Sequence, residues 1–251
     1  MFREFHHQVR GHGHLRDGTP VQDRTMYLSR GGVQALCLAD GAGSATHSEF
    51  GAQAVVDEGC RLLVERFAEF DLSGNGAQIK VEIVSRLVGK LNEVAERHRC
   101  TLADLASTFL CVAASGNRFV GAHIGDGVVG YLKNGELKVI SAPDNSEFAN
   151  QTTFVTSSAA LESMRLFRGS LDGVAGFVLM SDGTGDSLFN PRTGELAGAC
   201  AKLITAVGAA RAQQGKNSEH RKQLQRAIDI RIRNATKDDC SIGILGRNLS
   251  V

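Results

Sequence analysis

The chain has 251 residues, 42% of them hydrophobic, and a formal net charge of +1. A chain of that length buries roughly 70–75% of the surface its unfolded form exposes, so a single domain over residues 1–251 needs no disulfide or structural zinc to hold it. The near-zero charge gives no global field toward nucleic acid or anionic lipid, and no apolar run approaches the roughly 20 residues of a membrane helix.

Taken in chain order, the first strong signal is Val33–Ala39, a short apolar run that ends at Asp40 and reads as a buried strand. Thr46 and Glu49 match a T-x-x-E capping box. They precede a helix in which Val55, Leu62, Leu63, Phe67 and Phe70 share one face. Ile79, Ile83, Leu87 and Leu91 recur every fourth residue and predict a second amphipathic helix. Four strand-like runs follow: Ser107–Ser115, Arg118–Ile124, Val128–Lys133 and Glu136–Ser141. Gly116-Asn117 and Asn134-Gly135 separate them in pairs, as hairpin turns do, and together the four predict an antiparallel meander.

Residues 142–172 are polar and weakly periodic, which predicts a long flap, a segment type usually tied to function in a compact domain. Then come a strand at Gly173–Met180, helices near Gly198–Gln213 and Glu219–Ile232, and a last strand at Cys240–Leu245. Runs of strands with segregated helices predict an α+β fold with sheets between helical layers. No G-x-x-x-x-G-K-[ST] loop exists, which excludes the usual nucleotide cradle. Cys37, Cys60, Cys100, Cys111, Cys200 and Cys240 form no C-x-x-C pair and sit mostly in apolar stretches. They read as packed free thiols of a reducing, cytoplasmic protein, and the N-terminus lacks the apolar centre of a signal peptide.

One pattern repeats. An apolar strand runs into or out of an aspartate flanked by small residues at Asp40-Gly41, Gly125-Asp126-Gly127, Ser181-Asp182-Gly183 and Asp238-Asp239-Cys240, and Val21-Gln22-Asp23 adds another near the N-terminus. Each alone is an ordinary turn. Converging, they would repel one another unless a cation offset their charge, and an all-oxygen set selects Mg²⁺ or Mn²⁺ over zinc or copper.

The motifs Asp40-Gly41-Ala42-Gly43-Ser44, Ser107-Thr108, Gly125-Asp126, Ser181-Asp182-Gly183 and Asp238-Asp239-Cys240-Ser241 occur in an order that resembles the type 2C metal-dependent serine/threonine protein phosphatases. Gly13-His14 ahead of Pro20-Val21-Gln22-Asp23, and Phe148-Ala149-Asn150-Gln151-Thr152 in the flap, resemble a divergent bacterial branch of that family. The resemblance implies a four-layer α-β-β-α sandwich with two central, mainly antiparallel sheets. It implies that Asp40 bridges two Mn²⁺ or Mg²⁺ ions, that the Gly41 carbonyl binds one, that Asp182 and Asp238 hold the other, and that Asp23 supports the water around them. Asp126 matches the position linked to a third ion. The implied activity is hydrolysis of phosphoserine and phosphothreonine in proteins by a metal-activated water. The implied partners are a phosphorylated protein and a cognate serine/threonine kinase. The same residues would also serve a small-metabolite phosphatase or a silent relative that only binds.

The chain departs from the resemblance at three places. Gln22 stands where many relatives have glutamate, Ala42 where many have histidine, and no arginine occupies the usual phosphate-gripping position. His14 is the candidate to replace that arginine, as a phosphate contact or as the acid for the leaving alcohol, and Arg16 is a second phosphate candidate. Asp239 is an alternative ligand to Asp238, although strand alternation turns neighbouring side chains to opposite faces.

Overall fold

The computed structural model describes residues 1–143, 152–210, 219–232 and 236–249. In chain order, β1 is Arg3–Val9, α1 His12–Asp17, β2 Arg24–Arg30 and β3 Val33–Ala39. The long helices α2 (Ser48–Leu72) and α3 (Gly76–His98) follow, then the strands β4 (Phe109–Ser115), β5 (Arg118–Ile124), β6 (Val128–Lys133) and β7 (Glu136–Ser141). After a short α4 (Ala160–Ser163) come β8 (Arg165–Ser170), β9 (Val174–Met180) and α5 (Asp182–Leu188). The small strands β10 (Phe189–Asn190) and β11 (Glu195–Leu196) precede α6 (Ala199–Gly208), α7 (Glu219–Arg231) and β12 (Cys240–Gly246).

Two five-stranded sheets stand face to face, one in the order β2-β3-β4-β5-β8 and the other β1-β12-β9-β6-β7. Every neighbouring pair is antiparallel. Strand alternation divides the apolar residues between layers. In β3, Ala35, Cys37 and Ala39 pack under α2 and α3, while Leu36 and Leu38 point between the sheets. In β9, Val178 and Met180 face α6 and α7, while Phe177 and Leu179 face the other sheet. Because β3, β4, β9 and β12 are covered on both faces, they read as almost continuous apolar runs. The result is the α-β-β-α sandwich expected of the sequence, and Ile79, Ile83, Leu87 and Leu91 form the buried face of α3 as their spacing required.

Three expectations need correction. The four middle strands are not one meander: β4 and β5 pair in one sheet, β6 and β7 in the other. The switch occurs at Gly125-Asp126-Gly127. Gly125 has φ +118°, a conformation open to glycine, and a Cβ there would lie 2.6 Å from Thr108 Cγ2. The chain therefore turns out of the first sheet at the acidic residue itself. The flap predicted over 142–172 is not irregular throughout, since its described part contains α4 and the edge strand β8; residues 144–151, with Asn150, lie outside the described residues. The capping box at Thr46 does not form either. Thr46 Oγ1 turns to Asp104 Oδ1 (3.4 Å), and His47 occupies the N-cap of α2. All six cysteines are free, five of them buried, and among the described residues no helix is long and apolar enough to cross a membrane.

Candidate active site

The site lies at one edge of the paired sheets, where strands β3, β5, β9 and β12 begin or end. The pairing of β2 with β3 sets Arg24 opposite Ala39, so the next residues outward, Asp23 and Asp40, stand across from each other. Asp40 is clamped through its backbone: its N–H donates to Thr108 Oγ1 (2.9 Å), and its carbonyl accepts from Thr108 N (2.8 Å). Gly41 bridges to Ser107 next door. The Ser107-Thr108 motif thus holds Asp40 and Gly41 in place at the end of β3.

The acids act on one another. Asp23 and Asp182 neighbour Asp40, and burial together with those two acids raises its pKa well above the ordinary carboxylate range. Burial pushes Asp23 up to about 7, an effect increased by Asp239 and opposed by Asp40, Ser241 and Ser181. Asp182 is also raised, first by burial and then by the charges of Asp126 and Asp238. No lysine or arginine is among the main influences on these three. Asp23 is fully buried, and among the described residues neither of its carboxylate oxygens has a hydrogen-bond partner, although Asp40, Ser181 and Ser241 lie near. Buried, unpartnered carboxylate is costly, and a cation is the simplest offset. Among the described residues no three acids, histidines or cysteines converge closely enough to cage an ion as they stand.

All the predicted acids are therefore brought to one edge. Asp126 lies near enough to repel Asp182, and Thr152 donates to its Oδ2. Asp238 stands at the mouth with its side chain 55% exposed, and its Oδ1 accepts from the Asp239 N–H (2.8 Å). Asp239 is turned inward. It is 2% exposed and accepts from Gly11 N (2.8 Å) and Gln22 N (2.6 Å). The two acids lie just before β12, not within it, and point apart; the anchoring task of Asp239 was missed, and the signal available was its place beside β12, opposite the Gly11–Gln22 loop.

The phosphate candidates separate as well. His14 Nε2 lies 3.9 Å from Asp238 Oδ1, and its Nδ1 lies 2.9 Å from Asp239 Oδ1. Arg16 instead directs its Nε to neighbouring Asp17 (3.3 Å) with its side chain 76% exposed, and among the described residues no contact ties it to the clustered acids. Gln22 is buried; its Nε2 donates to Ser48 Oγ (2.8 Å), and its buried Oε1 has no partner among the described residues. Ala42 is buried too.

The protein-family model described as Protein phosphatase 2C matches residues 10–229. The chain belongs to the protein phosphatase 2C family. A curated relative, Serine/threonine-protein phosphatase 3 of Escherichia coli, is 29% identical over 163 residues, covering 62% of this chain. The match spans 64% of that relative's own length. Among solved structures, a serine/threonine phosphatase from Staphylococcus aureus superposes with a TM-score of 0.64 at 17% identity, covering 99% of this chain and 96% of the other. A serine/threonine phosphatase from Mycobacterium tuberculosis gives a TM-score of 0.61 at 18% identity over 98% and 99% of the two chains. The catalytic domain of the phosphatase PstP, in complex with two manganese ions, gives 0.59 at 17% identity over 98% and 99%. At such identities these structures establish that this protein phosphatase 2C member has the fold of the family.

Proposed function

We propose that this chain is a Mn²⁺- or Mg²⁺-dependent phosphoprotein phosphatase acting on phosphoserine and phosphothreonine. The observation that carries the reading is Asp40 set directly against Asp23 and Asp182, with Asp126 and Asp238 around Asp182 and no lysine or arginine among the main influences on Asp40 or Asp182. In this reading Asp40, the Gly41 carbonyl, Asp182 and Asp238 hold two ions, Asp23 supports them from below, and Asp126 serves a third. Bound divalent ions would lower the pKa of water toward neutrality and polarise phosphoryl oxygens.

The chain's own residues prepare that chemistry. Thr108 fixes Asp40 through two backbone hydrogen bonds. Gln22, with its amide nitrogen committed to Ser48, keeps Oε1 free as a neutral acceptor. His14, at the mouth beside Asp238, is the imidazole placed to meet the phosphoryl group or its leaving oxygen. The exposure of Asp238 suits a phosphorylated side chain carried on a protein surface. In this reading, which family membership supports, the substrate is a phosphoprotein made by a serine/threonine kinase, and free thiols fit a cytoplasmic setting.

The test is hydrolysis of p-nitrophenyl phosphate and of a phosphothreonine peptide, with Mn²⁺ or with EDTA. Mn²⁺-dependent turnover of the peptide, abolished by EDTA, is expected. A folded preparation that turns over neither substrate with metal would reject the reading, and a preparation active only on small phosphorylated metabolites would reassign the substrate.

A further inference from the structure

We propose that Asp239 is a positioning residue that aims His14 at the substrate phosphoryl group, so that the two act as one unit. The inference rests on the phosphatase reading and assigns a specific task to a residue that holds no ion within it.

The geometry begins with the backbone. Gly11 packs so closely on the segment before β12 that a Cβ there would stand 2.3 Å from the Asp238 carbonyl group. Gly13 N donates to Lys237 O (2.8 Å). The short α1 is thereby laid directly against the backbone that carries Asp238 and Asp239. Asp239 then fastens three pieces together. Its Oδ1 accepts from Gly11 N (2.8 Å) and lies 2.9 Å from His14 Nδ1, while its Oδ2 accepts from Gln22 N (2.6 Å). Arg10 Nη2 donates to the His14 carbonyl (2.9 Å), which fixes the histidine backbone from a fourth direction.

Asp239 Oδ1 stands 2.9 Å from Nδ1 without reaching hydrogen-bond geometry, so it holds the ring by close approach and by its anchor on Gly11. The remaining nitrogen, Nε2, faces outward, 3.9 Å from Asp238 Oδ1 at the mouth. The His14 side chain is 19% exposed, enough to be reached, while Asp239 at 2% is not. With Nδ1 turned back toward Asp239, Nε2 is the nitrogen left to meet a phosphoryl oxygen, which gives the contact a direction. A buried carboxylate behind an imidazole is a common way to fix which ring nitrogen faces the reacting group. The adjacent acids thus divide the work, Asp238 facing the site and Asp239 aiming the histidine.

The experiment compares His14→Gln, His14→Asn, Asp239→Asn and the double variant His14→Asn/Asp239→Asn in the full chain loaded with Mn²⁺, assayed on a phosphothreonine peptide. Inhibition by inorganic phosphate is measured in parallel. The Gln amide reaches the place of Nε2, whereas the Asn amide reaches only that of Nδ1. His14→Gln is therefore expected to keep about tenfold or more of the kcat/KM that His14→Asn loses, the scale of one hydrogen bond to a charged group, and to bind inorganic phosphate more tightly. Asp239→Asn is expected to lower kcat/KM alone and to add little on the His14→Asn background, because the two are coupled. Equal activity and phosphate affinity for His14→Gln and His14→Asn, or full additivity in the double variant, would overturn the proposal. If Asp239→Asn does not fold, Asp239→Glu and its double variant with His14→Asn make the same comparison, and full additivity there would overturn the proposal equally. A folded wild type without phosphatase activity would remove the reading beneath the proposal, and the proposal with it.

Discussion

Asp23 and Asp40 face each other just beyond the last pair of β2 and β3, and among the described residues neither Asp23 oxygen has a hydrogen-bond partner. Burial holds the Asp23 carboxyl up to about 7, against an ordinary 3.8. The unfolded chain therefore releases this proton well before the folded one does. As pH rises from about 4 to about 7, folded protein binds more protons than unfolded, and stability falls. Metal-free protein should melt at lower temperature near pH 8 than near pH 5, by a free-energy difference on the order of a few kcal/mol. Asp23→Asn should flatten this slope, and Mn²⁺ at the higher pH should raise the melting temperature. Thermal melts across pH, with EDTA and with Mn²⁺, test both statements; a slope of opposite sign would contradict them.

Asp40 and Asp182 are expected to be dispensable for folding but not for rate. Both have carboxyls raised by burial, so neutral asparagine removes repulsion from the metal-free fold. Asp40→Asn and Asp182→Asn should each melt no lower than wild type in EDTA. Each should lose more activity than the roughly 10–100-fold typical of a supporting group beside a metal site. Peptide hydrolysis and melting curves on the same preparations make the comparison, and unchanged activity in either variant would count against the ligand assignment.

Gly125→Ala links the fold to the site. The backbone at φ +118° disfavours any side chain, and the new Cβ would strike Thr108, the residue that clamps Asp40. The strained backbone costs about 1–3 kcal/mol. The variant should therefore show a lower melting temperature and weaker Mn²⁺ affinity together. Loss of stability with metal affinity intact would separate Gly125 from the site.

Gly11→Ala acts at the other wall. A methyl there would collide with the Asp238 backbone at 2.3 Å, so α1 must shift. The contact lies beyond Val9 and Cys240, the last pair of β1 and β12, so the strand ladder itself is not broken and circular dichroism should remain close to wild type. The kcat/KM should fall on the scale of His14→Asn. Wild-type kcat/KM in a folded Gly11→Ala would show that α1 is not held by this contact.

The central strands were legible because covering both faces of β3, β4, β9 and β12 demands unbroken apolar runs. Three edge strands were not. β1, β2 and β8 are half-open to solvent, and Arg3, His6, Arg24, Ser29 and Arg168 dilute their pattern. The hairpin turns at Gly116-Asn117 and Asn134-Gly135 were readable from local chemistry, yet the assignment of the two hairpins to different sheets was not, because it depends on the turn at Gly125 and on packing across the interior. At the site, the acids at strand ends stood out by their repeated setting. The inward turn of Asp239 and the exposure of Arg16 depend on where α1 docks, a long-range contact that no local pattern encodes.

Calorimetric titration of EDTA-stripped protein with Mn²⁺, set beside the same titration of Asp40→Asn, bears most directly on the claim that these carboxylates form a metal centre. The account predicts saturable binding to wild type that is lost or greatly weakened in the variant, with both proteins folded. Absence of binding to folded wild type, or equal binding by the two, would contradict it.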